Sequence, residues 1–250
     1  MRKRTELWSS GGGTQSSAIA ALIIRGELPK PDLACIADTG YEMSTTWKYM
    51  EKHVAPGLAA VGVTLHRVKS ADFATVGLYR NDDLLIPAYT SENGQMGKMP
   101  TFCSNEWKQR VVRRWASSQG VKAANVWIGF TIDEARRMKP RLDDKWRDYY
   151  PLISMLLTRQ DCEKIIMETF GEPAPRSSCY MCPNKNNSEW AWMKANAPDD
   201  FVAAQEFERG LQVFDPDVWL HRSGKPIGSI HFVDLNEPGG GKCEGGQCFV

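Results

Sequence analysis

No apolar run in the 250 residues reaches the ~18 that a membrane-spanning helix requires, so no membrane partner is expected. An excess of charge is lacking too. Lys and Arg number 31 against 30 Asp and Glu, a net charge of +1, and no global field recruits nucleic acid. The basic start Met1-Arg2-Lys3-Arg4 is not followed by the apolar stretch of a signal peptide, which makes a cytoplasmic location the expectation. Internal repeats are absent, and the low-complexity content is confined to Gly239-Gly240-Gly241. Histidine is scarce: His53 and His66 read as surface or sheet-edge residues, while His221 and His231 have no evident partner. The two common phosphate loops are also missing. There is no Gly-Lys-Ser/Thr ending and no G-x-G-x-x-G.

The hydrophobic content of 42% is enough for a sizeable core, and the length suits one domain or one with an appended subdomain. The chain is organised around Trp8-Ser9-Ser10-Gly11-Gly12-Gly13-Thr14-Gln15-Ser16-Ser17. This stretch sits between a short apolar approach and the helical run Ala18 to Ile24. Strand, glycine turn, helix is the order it predicts. Consecutive glycines allow positive φ and close approach of backbone to a ligand. The Ser16 and Ser17 hydroxyls and the free N–H groups of the first helical turn then face one point, an anion site.

Leu33 to Ala37 is a short apolar run that reads as a buried parallel strand, ending in Asp38-Thr39-Gly40. A helix capped by Ser44 and running to Val61 follows, then a third strand over Val63–Val68. Strands alternating with helices give βαβ units and a Rossmann-like α/β fold with a parallel sheet. Ligands sit at the carboxyl ends of such strands, which places the glycine loop and Asp38-Thr39-Gly40 on one rim.

Residues 71–100 lack periodicity and read as a long excursion of the kind used for lids. A basic helix over Glu106–Ser118 carries Lys108, Arg110, Arg113 and Arg114. A fourth strand, Val126–Phe130, opens into Thr131–Arg137. Arg136 and Arg137 there suit phosphate or sulfate oxygens, or else form a solvated cluster. The expected division is a nucleotide-binding α/β domain over 1–149, a helical cysteine-bearing subdomain over 150–236, and a Gly/Cys tail over 237–250. A helix over Thr158–Phe170, capped by Thr158 and stopped at Gly171, opens the second part.

The seven cysteines, without secretory context, read as free, metal-bound or redox-active. Cys179-x-x-Cys182-Pro183 is a chelating turn, and Cys103 and Cys162 are the nearest candidates to complete a set for zinc or an iron–sulfur cluster. The uneven spacing argues against a structural zinc ribbon. In the tail, Cys243 follows Lys242, which favours its thiolate, and Cys248 is placed to resolve a disulfide. Two idle cysteines on a loose end are the bland alternative.

The glycine stretch resembles the PP-loop, Ser-Gly-Gly-x-Asp-Ser, of the adenine-nucleotide α-hydrolase superfamily. That group holds N-type ATP pyrophosphatases, sulfur-inserting enzymes of tRNA and DNA, and phosphoadenosine phosphosulfate (PAPS) reductases. Gly11 stands where that motif has its first Ser, and Gln15 where it has the acid. A neutral Gln brings no charge to Mg²⁺, so the resemblance implies phosphate cradling rather than metal-assisted cleavage of ATP. Cys103-Ser104-Asn105-Glu106-Trp107-Lys108, Arg159-Gln160-Asp161-Cys162 and Ser177-Ser178-Cys179-Tyr180-Met181-Cys182-Pro183 are similar to motifs of PAPS-reductase-like proteins of the sulfur-inserting branch.

The resemblance implies a [4Fe–4S] cluster on Cys103, Cys162, Cys179 and Cys182. It also implies an adenine nucleotide (ATP, PAPS or adenosine phosphosulfate, APS) on Ser10, Gly11, Gly12, Gly13, Gln15, Ser16 and Ser17, with adenine near Asp38-Thr39-Gly40 and phosphate oxygens near Arg136 and Arg137. PAPS reductases end in a tail whose thiolate attacks the sulfonucleotide, and the tail here is loosely similar, making Cys243 the expected nucleophile. A sulfonucleotide reductase-like oxidoreductase with a thiol reductant protein as partner is the function so implied. The alternatives are an ATP-using sulfurtransferase acting on tRNA or DNA through the basic helix, and a non-catalytic nucleotide- or cluster-sensing protein.

Overall fold

Strand β1 (Thr5–Ser10) lies at the centre of a five-stranded sheet, between β2 (Leu33–Asp38) on one side and β4 (Ala124–Trp127) on the other. Strand β3 (Leu65–Lys69) flanks β2 and β5 (Trp146–Tyr149) flanks β4, giving the order β3-β2-β1-β4-β5. All four pairings are parallel. The computed structural model describes residues 3–91, 94–138 and 143–232, so the tail with Cys243 and Cys248 lies outside the described residues. The protein is thus an α/β protein with a Rossmann-like parallel sheet. Its strand order reverses beside β1, the place where such sheets open a ligand crevice.

Alternation along each strand serves two cores. Trp8, Ala34, Ile36 and Trp127 face α1 (Thr14–Ile24), the helical run from Ser44 to Ala60, and α5 (Arg159–Phe170). Leu7, Cys35, Ala37 and Val126 face α4 (Arg110–Ser118) through Val111, Val112 and Trp115. The run from Ser44 is α2 (Ser44–Tyr49) and α3 (Ala55–Ala60) joined without a break by a π turn over Met50–Val54. Ser44 does not cap it. Met43 is the N-cap, and the backbone N–H and hydroxyl of Ser44 both donate to Asp200, at 2.9 and 3.0 Å.

Thr158 does cap α5, in a capping box with Asp161, and Gly171 at φ +75° ends it. Helix α5 packs on α1, so Leu152, Cys162 and Ile166 belong to the same core as the central strands.

A third core is built by α6 (Asn187–Asn196) and α7 (Pro198–Phe214). Leu84, Leu85, Ile86 and Ala88 are buried in it beside Trp190, Phe201 and Leu220. The middle of the excursion after residue 70, Leu84 to Ala88, is therefore packed into this third core.

Candidate functional site

The glycine loop joins β1 to α1 at the reversal of strand order. Gly12 takes φ +72°, and a Cβ there would stand 2.7 Å from Thr46 Cγ2 and 3.3 Å from Ile36 Cδ1. Glycine is required at this position for both conformation and space. The loop is held from within: Gly11 N donates to Ser16 Oγ at 2.8 Å and Gly12 N to Ser10 Oγ at 3.2 Å. No side chain caps α1, and its first turn carries no acid, so the positive end of the helix dipole is left facing the crevice. Ser16 and Ser17 are buried in that first turn.

The opposite wall of the crevice follows β4. A Cβ on Gly129 would stand 3.3 Å from Gln15 Cβ, so the chain after β4 passes tight against the start of α1. It then winds into a 3₁₀ helix over Ile132–Arg137. Gln15 Nε2 donates to Glu134 Oε2 at 3.0 Å, and Arg137 donates to Glu134 Oε1. The Arg137 guanidinium also lies 4.4 Å from the centre of the Phe130 ring. Of the two expected clamps, Arg137 is therefore fastened beside the loop, whereas Arg136 is exposed.

At the end of β2, Asp38 Oδ1 accepts from Gly40 N at 2.9 Å and Asp38 Oδ2 from Arg67 Nε at 2.8 Å. That guanidinium lies 3.7 Å over the Trp47 ring. Asp38 and Thr39 share the loop's rim, as the strand order requires.

Thr39 also begins the second half of the site. Its hydroxyl lies 3.8 Å from the sulfur of Cys179, whose backbone bridges to Glu42. Cys103, Cys179 and Cys182 lie near enough to feel each other's charge. Burial, then Cys182, pushes the Cys103 thiol up to about 12. Burial and then Glu42 raise the Cys179 thiol as well.

Two lysines flank this pocket, Lys185 buried and Lys108 largely covered. Lys108 Nζ pairs with Glu42 Oε1 at 2.7 Å. Burial opposes its charge, yet Glu42 and Cys179 carry it above the ordinary lysine value. Lys185 donates to Cys179 O at 2.7 Å and to Ser178 Oγ, and burial pulls it below the ordinary lysine value. Glu42 Oε2 is buried with no hydrogen-bond partner among the described residues.

The two halves meet at Ser177. Its hydroxyl donates to Gly11 O, and its backbone N would lie 3.3 Å from a Cβ on Gly13. The chelating turn is therefore strapped to the glycine loop two residues before its first cysteine.

Cys162 stays apart from this set. It is fully buried beneath α1, and burial followed by Asp161 lifts its thiol to about 12. Among the described residues, no group of three or more His, Cys, Asp or Glu side chains is arranged to hold a metal ion. Cys103, Cys179 and Cys182 lie together, while Cys162 packs in the sheet core.

Lys108 and the arginines of the basic helix are similarly occupied. Lys108 is turned inward, Arg110 pairs with the buried Glu106 at 3.0 Å, and Arg114 donates to Phe73 O at 2.7 Å. The residues that sequence reasoning missed are Glu42, Glu134 and Lys185. Lys185 had a signal, lying one turn past Cys182, and so did Glu42, just beyond the strand-end Gly40. Nothing in the spacing ties Glu134 to Gln15.

Fold and site together define an α/β protein with an uncapped glycine loop at the reversal of its sheet and a thiol pocket beside it. No protein-family model matches the chain, and no curated protein matches it. A crystal structure of phosphoadenylyl-sulfate (PAPS) reductase from Candida auris, in complex with phosphate, is similar at 16% identity over 68% of this chain and 74% of that one, with a TM-score of 0.43. No described helix is long and apolar enough to cross a membrane.

Proposed function

We propose that the protein is an enzyme of sulfur chemistry that binds an adenine sulfonucleotide, of the PAPS or APS kind, on the glycine loop. The observation that supports this reading is the contact of Ser177 with Gly11 and Gly13, which ties the turn bearing Cys179 and Cys182 to the loop before the uncapped start of α1. Phosphate oxygens take the N–H groups of the first turn of α1, with Arg137 alongside, and adenine lies along the rim at Asp38, Thr39 and Gly40. The sulfur-bearing end then points to Cys103, Cys179 and Cys182.

In this reading the nucleophile is Cys243. Its thiolate attacks the sulfur of the sulfonucleotide, the S–O bond to phosphate breaks, and the nucleoside phosphate leaves with the electron pair. Attack of Cys248 on the resulting S-sulfocysteine releases sulfite and leaves a disulfide, which a thiol reductant protein reopens. A nucleic-acid substrate has less support, since Lys108 is committed to Glu42 and Arg114 to the backbone of Phe73.

Thermal unfolding with APS, PAPS, ATP and GTP tests the reading. A ligand present at 100 times its Kd stabilises by about 2.7 kcal/mol, and the adenine sulfonucleotides are expected to raise Tm most. Truncation after Gly241 should keep that shift and abolish turnover. The reading fails if no adenine nucleotide raises Tm. If the truncated protein turns over at the full rate, Cys243 is not the nucleophile.

A further inference from the structure

Gln15 occupies the position where a PP-loop carries its acid, and its amide is aimed at a carboxylate from another element. Gln15 Nε2 donates to Glu134 Oε2 at 3.0 Å, while Glu134 Oε1 takes the Arg137 guanidinium. All three side chains sit at the mouth of the glycine loop, held there by the close passage of Gly129 against Gln15 and by Phe130 under Arg137. The arrangement explains why the residue is Gln. An acid at position 15 would put two carboxylates within hydrogen-bond distance, an arrangement that is stable only with a proton or a cation between them. With Gln the amide donates, and no cation is called for.

The charge inventory of the crevice follows from these contacts. Mg²⁺ on a nucleotide is commonly held by one or two carboxylates together with substrate phosphates. Glu134 is the carboxylate that reaches the start of α1, and donors already take both of its oxygens. Positive charge at the phosphates then comes from the uncapped end of α1 and from Arg137.

We propose that Glu134 and Gln15 are positioning residues that fix Arg137 at the phosphate subsite as a built-in replacement for a divalent cation, so that the protein binds its nucleotide without metal. This inference rests on the nucleotide reading of the glycine loop and adds its charge chemistry. It also assigns a role to a sequence departure that otherwise looks like a simple loss.

The test is calorimetric titration of APS and of ADP into the full chain, once in EDTA and once in Mg²⁺. The wild-type affinity is expected to be the same in the two buffers to within about twofold. Gln15→Glu, equal in size, sets a second carboxylate against Glu134. Its affinity should fall about tenfold or more in EDTA and return with Mg²⁺. Arg137→Gln frees Glu134, and it too should bind weakly in EDTA and recover with Mg²⁺.

A merely structural role for the trio lowers affinity equally in both buffers, and that result overturns the proposal. So does a wild-type protein whose affinity drops about tenfold in EDTA, a measurement that needs no variant to fold. Absence of nucleotide binding in either buffer overturns the reading of the loop itself and this inference with it.

Discussion

Ser177 donates its hydroxyl proton to the carbonyl oxygen of Gly11, across 166 positions of sequence. The contact ties the glycine loop to the turn that carries Cys179 and Cys182. A ligand that reshapes the glycine loop must therefore be felt at Cys179, two residues from Ser177.

Gly12 is the first place to press on that unit. Gly12→Ala forces a Cβ to 2.7 Å from Thr46 Cγ2 at φ +72°. The expected destabilisation is about 1–3 kcal/mol, read from urea unfolding. Gly11→Ala meets only Ser16 Oγ, at 3.5 Å, and should unfold like the wild type. Equal destabilisation by the two changes would contradict the conformation described for the loop.

Breaking the Lys108–Glu42 pair should be costly because Glu42 is buried and Lys108 nearly so, with side chains 3% and 13% exposed. Lys108→Met leaves the Glu42 carboxylate buried and uncompensated, at about 3–5 kcal/mol. The double change Lys108→Met with Glu42→Leu should recover much of that loss. A double-mutant cycle with no coupling energy would show that the pair does not form in solution.

His221 gives the protein a pH dependence in the mildly acidic range. Its Nε2 meets Asn187 Oδ1 at 2.7 Å, and its Nδ1 accepts from Ser223 N at 3.2 Å, so both contacts fit the neutral ring. Burial, then Arg222, lowers its pKa from 6.5. The unfolded chain then binds the extra proton first, and stability rises with pH. The contribution is complete above pH 6.5 and is lost as the pH falls through the lowered folded value. Urea midpoints between pH 7.5 and 5 should decline less in His221→Gln than in the wild type. Parallel declines would assign the dependence to other groups.

The cysteines should separate by their reaction with a thiophilic probe. Cd²⁺ added to the reduced protein gives a sulfur charge-transfer absorption when thiolates bind it. In protein cut after Gly241, which lacks the tail thiols, Cys179→Ala and Cys182→Ala should each weaken the band, and Cys162→Ala should keep it. Loss of the band in Cys162→Ala alone would place that thiol with the pocket rather than the core.

The sequence carried the scaffold well where local chemistry decides. Thr158 and Asp161 announce the start of α5, Gly171 its end, and the apolar run at Leu33 a buried central strand. Strand β5 is hard to read in the sequence because Trp146-Arg147-Asp148-Tyr149 carries two charges, as befits a strand at the edge of the described sheet. Lys108 reads in the sequence as one cation of a basic helix suited to nucleic acid; only the fold brings Glu42 to it, and an ion pair 66 positions apart leaves no periodic trace. The loss of an acid at position 15 was visible, but its complement Glu134 comes from the far side of the strand reversal.

The packing of α5 on α1 has a practical consequence for anyone who cuts this gene. Residues 1–149 hold the whole five-stranded sheet, yet the face of α1 that meets α5 carries Ile19, Leu22 and Ile23, all essentially water-free in the full chain. A recombinant fragment ending at Tyr149 would carry that stripe bare and should aggregate when expressed alone. Co-expression with a piece beginning at Tyr150 should return it to solution as a noncovalent pair.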